Sequence, residues 1–208
     1  MTTQAPDAGA RTRARASLLI IFALFAAPVA LAWLLFFVFP EWVPTATTNN
    51  GTLIEPIRPL PGFHLKSLSG NDIDADFLQG KWTLAYLHKG ACDPGCVEQL
   101  YQVRQLRLSQ GKNIDRLQRL MLWQAEGVDE ARRNDLQQHF PGQIIALLPG
   151  DERRLLEAFN VDGQAPMGQE RIYLVDPLGN LMMLYEPGSE PRGMIRDLER
   201  LLKYSGLG

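Results

Sequence analysis

The chain has 208 residues, room for one ordinary domain with an appendage and too little for a two-domain enzyme. Hydrophobic residues make up 46% and charged residues 21%, which excludes both a disordered chain and a multi-span transporter. Lys and Arg number 21 against 23 Asp and Glu, so the formal net charge is -2 and no basic excess points to nucleic acid.

Arg11, Arg13 and Arg15 stop just before an uncharged run over residues 17–39. A helix needs about 20 apolar residues to cross the hydrocarbon core, so this run predicts a membrane span. Arginines before it and none for some way after put a tail of residues 1–16 in the cytoplasm and the remainder across the membrane. Trp42 is placed for the headgroup level, and Pro40 is placed to end the helix. Ala30-Leu31-Ala32 has the small-x-small pattern of a signal-peptidase site, but apolar residues continue through Phe39, beyond the length of a signal's apolar region. The anchor is therefore the expected reading, and Pro28 in mid-span is tolerated in lipid. Residues 40–60, rich in Pro, Thr and Asn and without a hydrophobic period, predict a semi-rigid linker.

From residue 61 a domain is expected. Phe63, Leu65 and Leu68 open it, Gly70-Asn71 turns the chain, and residues 82–87 form an apolar run that reads as a buried strand. Over residues 96–110 the apolar positions Val97, Leu100, Val103, Leu106 and Leu108 recur mostly at helical spacing, with Gly111 placed to cap the end. A strand over 117–123, a helix over 130–140, a strand over 144–148 and a helix over 151–159 with an acidic cap follow. Strands over 171–175 and 181–185 are joined by Asp176-Pro177-Leu178-Gly179-Asn180, a hairpin turn by composition, and residues 194–204 form a last amphipathic helix. This alternation predicts an α/β domain with a mostly parallel central sheet, helices on both faces and an antiparallel edge from the hairpin.

The chain has two cysteines, Cys92 and Cys96, where the first long strand hands over to the first helix of the domain. Asp93 suits the N-cap and Pro94 the first helical position, so Cys92 should lie outside the helix and Cys96 in its first turn. Free N–H groups and the helix dipole favour a thiolate there; Lys89 adds to this and the Asp93 carboxylate opposes it. A loop-to-helix pair can bring two sulfurs to bonding distance, so a reversible disulfide is feasible. Two thiolates equally suit Cu(I), whereas zinc would want four ligands. A purely structural bridge is the competing reading, and closing so short a loop stabilises little.

A strand, then Cys92-x-x-x-Cys96 opening a helix, then Tyr173-Leu174-Val175-Asp176-Pro177-Leu178-Gly179 on a late strand, all behind one anchor, resembles the Sco/SenC family. The resemblance covers the element order of the domain. It implies a thioredoxin-like domain with a central mixed sheet over residues 61–208, preceded by one transmembrane helix. It implies an accessory role in assembling the dinuclear copper centre of cytochrome c oxidase, by copper delivery or by dithiol maintenance. On that likeness Cys92 and Cys96 would be the reactive pair and Cu(I) ligands, an oxidase subunit or another assembly factor would be the partner, and the domain would face the periplasm from a bacterial inner membrane. In that family a distal His completes the copper site; the matching stretch here is Met167-Gly168-Gln169-Glu170-Arg171, in which Met167 is the nearest soft donor. His88 precedes Cys92 by four residues, whereas the family often has His directly before its first Cys.

Thioredoxins proper carry Cys-x-x-Cys and a proline just before the late strand, where this chain has Glu170-Arg171, a pair placed to bond one another, with Pro166 further upstream. A periplasmic thiol:disulfide oxidoreductase, with Cys92 attacking and Cys96 resolving, is the alternative enzyme reading. A non-catalytic interaction domain is the third. His64 and His139 read as surface or hydrogen-bonded residues, while His88 ends the strand leading to the cysteine loop, where open α/β sheets place their sites. No phosphate loop, nucleophile elbow or paired-His motif occurs.

Overall fold

A computed structural model describes residues 8–39 and 49–206. Two compact units divide the chain, residues 1–47 and 48–208. In the first, helix α1 runs Ala8–Phe37, and its stretch Arg15–Phe37 is long and apolar enough to cross a membrane, with all of its large apolar side chains but Leu35 exposed. The helix begins well before residue 17, because the Ala- and Arg-rich segment ahead of the apolar run is built of strong helix formers. It stops at Phe37; the residue before a proline is driven out of helical geometry, so the turn at Val38 precedes Pro40. Pro40 and Trp42 lie outside the described residues.

The second unit is built on one eight-stranded sheet. Its strands are β1 Thr52–Pro59, β2 His64–Ser67, β3 Asp72–Asp74, β4 Trp82–Lys89, β5 Leu117–Gln124, β6 Ile144–Leu147, β7 Ile172–Val175 and β8 Asn180–Tyr185. Helices α2 Pro94–Leu108, α3 Glu130–His139, α4 Arg153–Ala158 and α5 Pro191–Tyr204 complete it. The spatial order is β1-β8-β7-β4-β5-β6-β2-β3.

The sheet is mixed, and the expectation that it is mostly parallel is corrected. Parallel pairing is confined to β4–β5 and β5–β6, the two steps made through the crossover helices α2 and α3. Every other neighbour is antiparallel. The late hairpin is not an edge either, since β7 lies against β4 and β1 covers β8. The turn itself forms as its composition predicts: the Asp176 carboxylate accepts the N–H groups of Leu178 at 2.9 Å and Asn180 at 2.8 Å.

A second correction concerns residues 40–60. Residues 52–59, expected as linker, are the edge strand β1, with Thr52 opposite Leu184 and Pro59 opposite Asn180. An edge strand tolerates prolines because one row of its N–H groups has no ladder partner, and Ile54 is the strand's one deeply buried side chain, so no hydrophobic period appears. Order begins still earlier. The carboxylate of Asp197 on α5, 1% exposed, accepts N–H groups from Asn50 at 2.8 Å and Gly51 at 2.9 Å, and the Asn50 side-chain amide at 2.9 Å. Gly111 does not cap α2, which ends at Leu108 with Ser109 as its cap; with φ +53° it opens the following 3-10 turn instead.

Successive side chains of β4 point to opposite faces, which splits the interior in two. Ala85 and Leu87 join a core with Leu155 of α4 and Phe159 at its C-cap, while Leu84 and Tyr86 face α2 and its neighbours. Every residue of β4 but Lys89 is buried, so the strand delivers its end, and the loop that follows, as a rigid base.

Candidate functional site

Gly90 turns the chain off β4 with φ +83°, a backbone geometry that favours glycine, and its N–H donates to the Gln124 carbonyl at 2.9 Å. Asp93 then caps α2, its Oδ1 accepting the Cys96 N–H at 2.9 Å, and Pro94 opens the helix. Capping places Cys92 just outside the helix and Cys96 within the first turn, with Cα atoms 5.2 Å apart and the two sulfurs joined as a disulfide.

Exposure separates the two sulfurs. Cys96 is 0% exposed and packs among Tyr86, Leu100, Met121 and Trp123, whereas Cys92 is half-buried at the rim. A cavity of about 240 Å³ opens at Cys92, lined also by Val97, Trp123, Val128, Arg132 and Leu136. Its mouth is the route to a sulfur of the pair.

The loop is held from below. Trp123 Nε1 donates to the Gly90 carbonyl at 2.7 Å, and His88 Nε2 donates to the Ala91 carbonyl at 3.1 Å. With the Nε2 proton so committed, Nδ1 of a neutral His88 accepts from the Tyr86 hydroxyl at 3.2 Å. Burial, then the negative charges of Glu170 and Asp93, push the Tyr86 phenol above its ordinary range, which keeps it the donor. His88 therefore ends β4 beside the loop, with Nε2 bonded to the loop and Nδ1 to Tyr86 of its own strand.

Met167 is the expected soft donor. It packs against the core that holds Leu155 and Phe159, while Cys92 packs with the group around Tyr86. Among the described residues no three His, Cys, Asp or Glu side chains gather to hold a metal ion. His64 and His139 are surface residues beside Asp72 and Asp135.

Sequence reasoning missed the use made of Glu170. Arg171 does not pair with it; the buried guanidinium bonds Glu186 at 2.8 and 2.9 Å and Gln164 at 2.6 Å. Glu170 has φ +50°, a strained geometry for a non-glycine residue, and its half-buried carboxylate lies over Gly95. A Cβ on Gly95 would stand 2.6 Å from Glu170 Oε1. The one signal for this contact was the glycine itself, a poor helix former in the first turn of α2 between the two cysteines.

Residues 82–205 match the model of a family described as a transmembrane-like, thioredoxin-like, C-terminal domain. No curated protein sequence matches the chain. Among solved structures, copper-bound ScoI of Arabidopsis thaliana is similar at 15% identity and TM-score 0.60, over 70% of this chain and 99% of that one. BsSco, a Sco-family cytochrome c oxidase assembly protein with an identified disulfide switch, aligns at 15% identity and TM-score 0.57, over 74% and 99%. The thioredoxin domain of a thiol-disulfide oxidoreductase from Bacteroides vulgatus aligns at 17% identity and TM-score 0.52, over 69% and 95%. Likeness at these identities establishes the thioredoxin-like fold.

Proposed function

The chain belongs to the family of transmembrane-like, thioredoxin-like C-terminal domains, and from that membership we propose that it is a membrane-anchored, Sco-like accessory protein that keeps the thiols of a partner in their working redox state. The carrying observation is the Cys92–Cys96 disulfide at the N-terminus of α2, with one sulfur at a cavity mouth and the other fully buried. Reduced, the exposed Cys92 gains from the helix dipole and open N–H groups and is the attacking thiolate. Cys96, shielded from any outside partner, then resolves the mixed disulfide by attacking Cys92.

Copper is bound in the ScoI relative, while among the described residues of this chain no three His, Cys, Asp or Glu side chains gather to hold it. His88 is bonded on both nitrogens and no third His, Cys, Asp or Glu joins the cysteines among the described residues, so we route no step through the metal. By likeness to BsSco, the partner is an oxidase subunit or another assembly factor. The arginines ahead of the apolar stretch of α1 support a cytoplasmic N-terminus and a domain in the periplasm, an oxidising compartment in which a disulfide persists.

Trapping tests this reading. Full-length Cys96→Ser protein, expressed in its membrane, should hold a partner through Cys92 in a mixed disulfide that a reductant releases, and Cys92→Ser should hold none. Equal recovery from both variants, or from neither, overturns the proposal. Stoichiometric Cu(I) binding by the reduced full chain, lost in Cys92→Ser, would replace it with copper carriage.

A further inference from the structure

A second cavity, of about 590 Å³, lies between α2, α5 and the turn that joins β8 to α5. It shares no lining residue with the cavity at Cys92, and neither cysteine lines it, so the dithiol reading gives it no use. Its size falls within the roughly 300–1,000 Å³ of clefts that take ligands.

Gln99 on its α2 wall points to a polar ligand. The residue is only 8% exposed, yet among the described residues its side-chain amide bonds no protein group. A buried amide without partners is costly, and a ligand that brings both a donor and an acceptor removes the cost. Gln102 and Gln105 continue the same wall at three-residue spacing, so at a rise of 1.5 Å per residue the three amides spread over about 9 Å. Gln102 spends one amide hydrogen on Met194 Sδ at 3.4 Å, which leaves its oxygen to accept. An extended polypeptide, rising about 3.3 Å per residue, presents N–H and C=O groups along just such a length.

Charge decides the sign of the occupant. The charged side chains lining the cavity are Glu98 and Glu170, and among the described residues neither carboxylate is ion-paired. Cations on the neighbouring elements are turned elsewhere, Arg171 to Glu186 and Arg196 towards Glu190. Glu170 also holds a left-handed backbone at φ +50°, a strain that clusters at ligand clamps. Apolar surface completes the cavity: Tyr101, 56% exposed, stands on the α2 wall, with Pro187, Pro191 and Ile195 also lining it. Aromatic and apolar faces beside polar rungs suit the side chains of an extended peptide.

We propose that this cavity docks an extended segment of a partner protein that carries a lysine or arginine, its cation met by the carboxylates of Glu98 and Glu170 and its backbone by the Gln99, Gln102 and Gln105 amides. A small amine would satisfy the carboxylates and leave the amide row and the apolar wall unused. Docking of this kind needs no thiol chemistry, so it is measurable with the disulfide closed.

The test uses the full chain, disulfide closed, immobilised in neutral-detergent micelles. Blocked hexapeptides, acetylated and amidated, are supplied as separate pools whose fourth residue is Lys, Arg, norleucine or Glu, the other positions being mixtures of uncharged residues. Retained peptide is quantified by mass spectrometry. The Lys and Arg pools should be retained about tenfold over the norleucine pool, the worth of one hydrogen bond to a charged group, and the Glu pool least. Glu98→Gln combined with Glu170→Gln should erase that preference, and Gln99→Leu should lower retention of the Lys and Arg pools severalfold. Gln105→Lys, a change at an exposed position that leaves the fold alone, should abolish their retention. Equal retention of all pools, or a Lys and Arg preference that survives both the double Glu variant and Gln105→Lys, overturns the proposal. Displacement of the Lys pool by acetyl-lysine methylamide at the concentration of the peptides would assign the cavity to a small cation and overturn the extended occupant. No retention of any pool overturns the docking site and leaves partner trapping through Cys92 untouched.

Discussion

The buried carboxylate of Asp197 accepts the backbone N–H of Gly51 at 2.9 Å, tying the last helix to the residue that precedes the first strand. The same carboxylate holds Asn50 by backbone and side chain. Asp197→Ala would leave these buried donors without an acceptor. A loss of about 3 kcal/mol in folding stability is expected, since hydrogen bonds to charged groups contribute roughly 1.5–3 each and stranded donors add their own cost. Chemical denaturation of the full chain measures it, and limited proteolysis should find new cleavage near residues 49–52.

Removing the disulfide should matter little to the fold. A five-residue loop confers about 2 kcal/mol in the chain-entropy account, so the Cys92→Ser, Cys96→Ser double variant should unfold cooperatively with at most that loss. Partner trapping and glutathione turnover should vanish. A collapse of the fold would instead assign the bridge a structural role.

Alkylation of the reduced protein should distinguish the two thiols. Cys92 opens to a cavity and Cys96 is fully buried, so iodoacetamide should modify Cys92 faster by about tenfold or more, as thiolate character and access together dictate. Peptide mapping after a short exposure gives the ratio, and equal labelling would contradict the assigned attack order.

Alkaline pH should destabilise the domain. Burial raises the phenols of Tyr86, Tyr173 and Tyr185 above the unfolded value of 10.0. Their contribution is complete below pH 10 and declines above it, because the unfolded chain ionises first. Each supplies a slope of up to about 1.4 kcal/mol per pH unit. Arg119 works in the opposite sense, its guanidinium pushed down to about 10 by burial and by Arg107 and Arg104, so three groups oppose one. Denaturation midpoints measured between pH 8 and pH 11 should fall, and Tyr86→Phe should make the fall shallower.

The elements legible in the sequence were those written locally. The apolar run of β4, the Asp93-Pro94 start of α2 and the Asp176-to-Asn180 turn each carry their signal within a few residues. β1 was not legible: it holds two prolines, deeply buries one side chain, and takes its pairing from β8 far along the chain. The cysteine pair and its cap could be read, but Glu170 could not, because its place over Gly95 exists only once β7 is laid against β4. The position of His88 at the end of β4 could be read as well. The bond from its Nε2 depends on the loop folding back over it.

The two outer strands of the sheet deter unwanted association. β1 carries Pro56 and Pro59, which remove donors from an open edge. At the other margin β3 is three residues long, with Asp72 and Asp74 at its ends and Asp72 drawing Lys66 and His64 beside it. Neither margin offers a long uncharged template to a neighbouring chain. Proteins confined to a bilayer surface meet one another at high local concentration, and these margins let many copies crowd there without joining strand to strand.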